Sequence, residues 1–169
     1  MNYYRAPWSK SLIVASTFAT LVCLGVAYAF WTLPMASESL RLWLGLLPLA
    51  VILACALFTV RGYTIANGTL LIDRLFWKTH VSIRELRSVK FDPTATHRSI
   101  RTFGNGGFFS FTGYFRNQEL GSYRAFMTDR RRAVVLRFPS SVIVISPDRP
   151  EDFVNTISQY ARVEPRSPY

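Results

Sequence analysis

The chain has 169 residues, half of them hydrophobic, and carries 20 Lys+Arg against 10 Asp+Glu, a formal net charge of +10 at pH 7. Its only cysteines are Cys23 and Cys55 and its only histidines His80 and His97, which excludes a cysteine-based zinc site and a histidine-rich metal constellation.

Residues 1–10 form a short segment bearing Arg5 and Lys10. From Ser11 to Ser37 there is no charged residue, and from Leu42 to Val60 again none. At ~1.5 Å per helical residue, residues 11–33 span roughly 35 Å and residues 42–60 roughly 28 Å, enough to cross a hydrocarbon core of about 30 Å. The spacing predicts transmembrane helices over 11–33 and 42–60, joined by an external loop at 34–41. A buried core helix is the alternative for such runs, but it seldom needs more than about 14 apolar residues and usually keeps a polar face. A cleaved signal peptide is a second alternative, with Ala27-Tyr28-Ala29 as its small-x-small site. Against it, the apolar run continues through Phe30 and Trp31, and a second run follows at once.

Orientation follows from the basic flanks, because Lys and Arg beside a span are held on the cytoplasmic side. Arg5 and Lys10 precede the first run, and Arg61 and Arg74 follow the second. The connecting loop carries Arg41 with Glu38 against it. Both termini are expected on the cytoplasmic face of the membrane. Pro34 is placed to stop the first helix and Pro48 to bend the second. Neither span holds an Asp, Glu, His, Lys or Arg side chain, which argues against a proton relay or an ion path there. Cys23 and Cys55 fall at different depths, so no disulfide is expected.

Residues 61–169 hold 17 Lys+Arg and 9 Asp+Glu and read mostly as strand. Gly62 to Ala66 and Thr69 to Asp73 flank Asn67-Gly68, a pair that tolerates the positive φ of a type I′ turn and so signals a hairpin. Val81 and Ile83 alternate with polar residues, and Val89 and Phe91 continue that period of two after Leu86. Further strands are predicted at 122–127, 133–138 and 142–145. The period then changes to helical. Asp148 reads as an N-cap with Glu151 in capping-box spacing, and Phe153, Val154, Ile157, Tyr160 and Ala161 define one apolar face of a helix beginning near Pro150. Residues 162–169, with two prolines, read as a tail.

The succession of an apolar helical hairpin, Gly62-Tyr63-Thr64-Ile65, Asn67-Gly68, Leu70-Leu71-Ile72, Phe103-Gly104-Asn105-Gly106-Gly107-Phe108, Gly113-Tyr114-Phe115, Gly121, Val142-Ile143-Val144-Ile145-Ser146-Pro147-Asp148 and Phe153 resembles the bacterial pleckstrin-homology (PH)-like domains of small membrane proteins. That resemblance covers about residues 61–160. It implies a seven-stranded, strongly bent sandwich or partial barrel with the terminal helix plugging one open end. It transfers no catalytic residue.

Gly104-Asn105-Gly106-Gly107 could offer backbone donors to an anion. It lacks the strand-to-helix context and the Lys-Ser/Thr or third glycine of a nucleotide loop, and continues into Phe108, Phe109, Phe111, Tyr114 and Phe115. A structural bend or an interaction loop is the better reading. Arg130-Arg131-Arg132 is the densest basic run, either a solvated hairpin tip or a contact for anionic headgroups. Nucleic acid is disfavoured, since no recognition helix accompanies the charge. The first hairpin, Ala66-Asn67-Gly68-Thr69, is too tight and uncharged to grip a phosphorylated headgroup. The acids and histidines show no nucleophile-base spacing, and no serine sits in a Gly-x-Ser-x-Gly elbow.

These readings predict a membrane α-helical hairpin at 11–33 and 42–60 and a cytoplasmic mainly-β domain at 61–161, without catalytic, cofactor-binding or metal-binding residues. Its expected role is a non-enzymatic interaction or accessory module for a membrane or cytoplasmic protein, with a homo-oligomer left open. The alternative is peripheral recognition of anionic lipid. The candidate contact residues are Arg130, Arg131, Arg132, Phe108 and Phe109.

Overall fold

The computed structural model describes residues 2–32, 34 and 37–161. The chain runs β1 (Asn2–Arg5), α1 (Lys10–Thr32), α2 (Glu38–Leu57), β2 (Gly62–Ala66), β3 (Thr69–Asp73), β4 (Lys78–Ser82), β5 (Ser88–Phe91), β6 (Ile100–Gly106), β7 (Phe111–Asn117), β8 (Gly121–Met127), β9 (Val134–Arg137), β10 (Val142–Ile145) and α3 (Pro150–Ala161), with a 3-10 turn at Arg130–Arg132. The predicted tail at 162–169 lies outside the described residues.

The helices α1 and α2 are long and apolar enough to cross a membrane, and only 17% and 11% of their most apolar windows are buried. Neither is therefore a core helix of the β domain. They pack on each other, with the Trp31 indole so close to Gly45 that a Cβ there would meet its nitrogen at 2.2 Å. α2 begins at Glu38, inside the predicted loop, because Ser37 caps it and accepts from the Leu40 N–H at 3.4 Å. Its last residue is Leu57, and the chain reaches β2 at Gly62. Pro48 is accommodated within the helix and is buried. Both cysteines are free.

Residues 2–5, to which sequence patterning assigns no element, pair antiparallel with β2 from Asn2↔Ile65 to Arg5↔Gly62. The strands on either side of the helical pair thus close against each other. Among the described residues the first sheet has the order β1-β2-β3-β4 and the second β5-β9-β10-β8-β7-β6, in which only the β8/β10 pair is parallel. The hairpin of β2 and β3 turns at Asn67 (φ 49°) and Gly68 (φ 72°), the positive dihedrals expected of those residues.

The seven strands implied by family resemblance become ten among the described residues. One extra strand is β1. The others arise because the 80–91 run is broken by a turn at Arg84-Glu85, and because the glycine-rich 103–115 region is a hairpin of two seven-residue strands. Gly104 (φ 100°) and Gly113 (φ 139°) face each other across it. A Cβ on Gly113 would lie 2.2 Å from the Phe103 carbonyl oxygen, and backbone cannot move aside as a side chain could.

Between the sheets lies a core of Tyr63, Ile65, Leu70, Ile72, Phe126, Leu136 and Ile145, closed by Phe153 and Ile157 of α3. The opposite face of the second sheet carries another core, in which Leu12 of α1 packs with Phe111, Phe115, Tyr123 and Val135. The predicted capping box on α3 does not form. The helix starts at Pro150, while the Asp148 N–H donates to the Arg5 carbonyl at 2.9 Å and the Asp148 carbonyl accepts from Arg132. Asp148 stands one residue before the N-cap position, and its buried Oδ1 has no hydrogen-bond partner among the described residues. The predicted apolar stripe is also shorter, since Tyr160 is 46% exposed while Phe153 and Ile157 are fully buried.

Candidate functional site

The domain is fastened to the helical pair through buried polar contacts. Tyr63 is fully buried; its hydroxyl donates to the Phe126 carbonyl at 2.6 Å and accepts from the Ser146 N–H at 3.0 Å. Ser146 Oγ accepts from the Thr128 N–H at 2.8 Å, and the Thr128 hydroxyl donates to the Pro7 carbonyl at 2.8 Å. The Ser9 N–H, one residue before α1, donates to the Thr128 carbonyl. A line of hydrogen bonds therefore joins the centre of the fold to the start of the first helix.

Desolvation pushes the Tyr63 phenol up to about 12. Tyr4 and Tyr123 are raised by the same cause. A folded pKa above the unfolded value of about 10 stabilises the native state below pH ~10, and that contribution is lost as pH rises from ~10 to 12. Tyr63 alone is expected to remove roughly 3 kcal/mol over this window, at ~1.4 kcal/mol per pKa unit. Denaturant titrations of the detergent-solubilised chain at pH 8 and pH 11.5 check this, and Tyr63→Phe should show a shallower alkaline loss. An equal slope in both proteins would contradict it.

The hairpin of β6 and β7 lies against α1. Asn105 Oδ1 accepts from the N–H groups of Gly107 and Phe108 at 3.2 and 2.9 Å, which tightens the turn. Phe109, at φ 65°, directs its N–H to Ser16 Oγ of α1 at 2.9 Å. Its ring stacks on Phe108 with centroids 4.5 Å apart and tilts against Trp8 at 5.9 Å. Of the two phenylalanines singled out from sequence, Phe109 is thus docked at the helix, while Phe108 lines a cleft beside α2.

The three consecutive arginines point to different partners. Asp129 caps their 3-10 turn by accepting from the Arg131 N–H at 3.0 Å. Arg130 lies over the Phe111 ring at 4.4 Å, and Arg132 pairs with Asp129 at 3.6 Å. Arg130 and Arg131 border a groove of about 750 Å³ shared with Trp8, Lys10, His97 and Arg98. Phe108 and Arg130 both border a further groove of about 540 Å³ along α1, but Phe109, Arg131 and Arg132 do not, so the five candidate residues do not all converge on one site.

Sequence reasoning passed over a second set of arginines. Arg74, Arg101 and Arg124 border the cleft of about 510 Å³ between the end of α2 and the β6–β7 hairpin. Arg74 is only 8% exposed, and its guanidinium lies over Phe58, Trp77 and Phe126 at 5.3–5.8 Å. Arg124 lies over Phe126 at 4.8 Å and Tyr114 at 5.8 Å. The available signal was an arginine followed directly by Leu75-Phe76-Trp77, an aromatic setting that none of the Arg130–Arg132 run has in sequence.

At the outer edge of the second sheet, β6 pairs only with β7 among the described residues. Ile100 and Phe103 on this edge strand are 73% and 75% exposed. An open edge of this kind offers unpaired backbone groups to an incoming strand.

No curated protein and no solved structure matches the chain. The model of the bacterial PH domain family matches residues 61–161, from the residue before β2 to the end of α3. With two sheets, a closing C-terminal helix and a match over more than half of its length, the chain belongs to the bacterial PH domain family.

Proposed function

We propose that this is a two-pass protein of the bacterial cell membrane, crossing at α1 and α2, whose PH domain is a non-enzymatic protein-interaction module on the cytoplasmic surface. Family membership supports an interaction role, since the fold is one of binding modules. The basic flanks Arg5, Lys10, Arg61 and Arg74 support the cytoplasmic side. Pairing of β1 with β2 supports having both chain ends at the same end of the helical pair.

The observation that carries the protein-partner reading is the edge strand β6, with Ile100 and Phe103 uncovered and its outer backbone unpaired among the described residues. A domain fixed to its helices needs no lipid affinity to stay at the surface. A photo-cross-linking residue at Ile100 should therefore capture a discrete protein adduct in intact cells. The same residue at Glu85, in the exposed turn before β5, should not. Equal capture at both positions, or none at Ile100, would overturn the edge-strand reading.

A second reading, peripheral contact with anionic lipid, is favoured by the groove that brings Lys10, Arg98, Arg130 and Arg131 together beside Trp8. Each basic residue near such a surface contributes about 1 kcal/mol. Asp129 also borders this groove and pairs with Arg132, which dilutes its positive field.

A further inference from the structure

We infer that the cleft between α2 and the β6–β7 hairpin is a lateral site for one anionic glycerophospholipid, its phosphate held by Arg74 and Arg124 with Arg101 at the rim. The reasoning begins with charge. Three arginines border this cleft and, among the described residues, no acid does. Among the described residues, the acidic partners within 4.0 Å belong to Arg41, Lys78, Lys90, Arg132 and Arg149, and none to Arg74, Arg101 or Arg124. A buried cation without a counter-charge is costly, so a fold that keeps one beside a second cation needs a compensating anion.

Arg74 makes the case specific. Its Nε donates to Thr79 Oγ1 at 3.3 Å and its Nη1 to the Phe58 carbonyl at 2.7 Å. The second bond caps the C-terminal end of α2, a sufficient structural role for that edge of the guanidinium. It leaves Nη2 without a protein acceptor among the described residues, and it accounts for neither Arg124 nor Arg101. Burial, followed by the charge of Arg124, draws the Arg74 pKa down, as expected of a shielded cation with a second cation nearby. An anion between them would relieve both.

The walls say what the anion is attached to. The cleft's surroundings include Cys55 of α2 and its capping residue Phe58 on one side and Phe103, Phe108 and Tyr114 of the hairpin on the other. The hairpin turn meets α1 at Ser16, six residues into that helix and about 9 Å along its axis. The cleft therefore sits beside the end turns of both helices, where a spanning pair meets the headgroup layer. Its volume of about 510 Å³ suits a headgroup phosphate with the first part of an acyl chain. A free soluble phosphate would use the arginines and leave the aromatic wall idle. One wall belongs to α2, which lies outside the family's matched residues, so the site is a property of the domain and helix together.

The inference rests on α1 and α2 being membrane spans; it shares Arg101 and Phe103 of β6 with the edge-strand reading, but its readout, lipid retained by the purified chain, needs no partner on β6. Full-length chain that leaves membranes only with detergent secures the first point on its own. The chain is then exchanged into mixed micelles holding equal amounts of phosphatidylglycerol and phosphatidylcholine and examined by native mass spectrometry. One phosphatidylglycerol should be retained in preference to phosphatidylcholine, and Arg124→Gln should lower that retention about tenfold, the loss of one charge-assisted contact. Arg131→Gln, in the separate groove, should leave it unchanged. Because Arg74 also caps α2, Arg124 and Arg101 are the variants to use; both are exposed, and matching thermal melts establish that they fold. Equal retention of the two lipids, undiminished retention in Arg124→Gln with Arg101→Gln, or the same loss in Arg131→Gln would overturn the proposal.

Discussion

Replacing Phe153 by Ala is expected to cost the domain about 3–5 kcal/mol, the usual penalty for removing a buried aromatic side chain. Its ring is fully buried and meets Tyr4 edge-on at 5.0 Å and Tyr63 at 6.5 Å. It is also the first buried residue of the helix that closes the gap between the sheets, with Ile157 one turn later. Losing the ring opens a cavity bounded by two tyrosines whose hydroxyls are fixed elsewhere, Tyr63 to Phe126 and Tyr4 to Thr156. They cannot swing in to fill it, so relaxation should be small and the cost should lie near the upper end of the range. Denaturant titration of the full chain in detergent, followed through the emission of its tryptophans, measures this. A loss below about 1 kcal/mol would mean that α3 is not part of the core.

That helix was legible because its signal is local: Phe153 and Ile157 recur at helical spacing after a proline that suits the first turn of a helix. The first hairpin was legible for the same reason, since Asn67-Gly68 specifies both turn and register within two residues. The two apolar helices followed from hydropathy, although a capping serine at position 37 moved the start of α2 into the expected loop. What was hidden depends on partners distant in sequence. β1 has only four residues, and its partner strand lies some sixty residues away across the helical pair. The strands flanking the Gly107–Ser110 turn lack clean alternation, because Gly104 and Gly113 occupy positions where a side chain would normally mark the pattern.

The candidate site shows the same division. A run of three arginines attracts notice in a sequence, yet in the fold they separate toward Phe111, Asp129 and a shared groove. Arg74, Arg101 and Arg124 come from three different strands or their ends, and nothing in their spacing joins them. Density of charge along the chain was a poor guide to density of charge in space. The cleft is better marked by what is missing around it, an acid within reach of a buried guanidinium.

Replacing Tyr4 by Ala should be nearly as damaging as the Phe153 change, about 3–4 kcal/mol for a lost aromatic ring together with a partly buried hydrogen bond. Tyr4 is 2% exposed; its hydroxyl donates to Thr156 Oγ1 at 2.8 Å, and Arg149 lies over its ring at 5.3 Å. Neighbouring backbone bonds, from Ala6 N–H to the Arg61 carbonyl and from Asp148 N–H to the Arg5 carbonyl, hold β1 between β2 and the start of α3. Tyr4 and Phe153 touch, so the double variant should lose less than the sum of the singles, with a coupling of about 0.5–3 kcal/mol. Loosening β1 also loosens the link to α1, because residues 6–9 run from one to the other. Trypsin should then cut faster after Arg61, whose N–H is held by the Asp73 carbonyl at 2.9 Å in the intact junction. Additive losses, or unchanged cleavage after Arg61 in Tyr4→Ala, would mean that the N-terminal strand rests on the domain without fastening it to the helices.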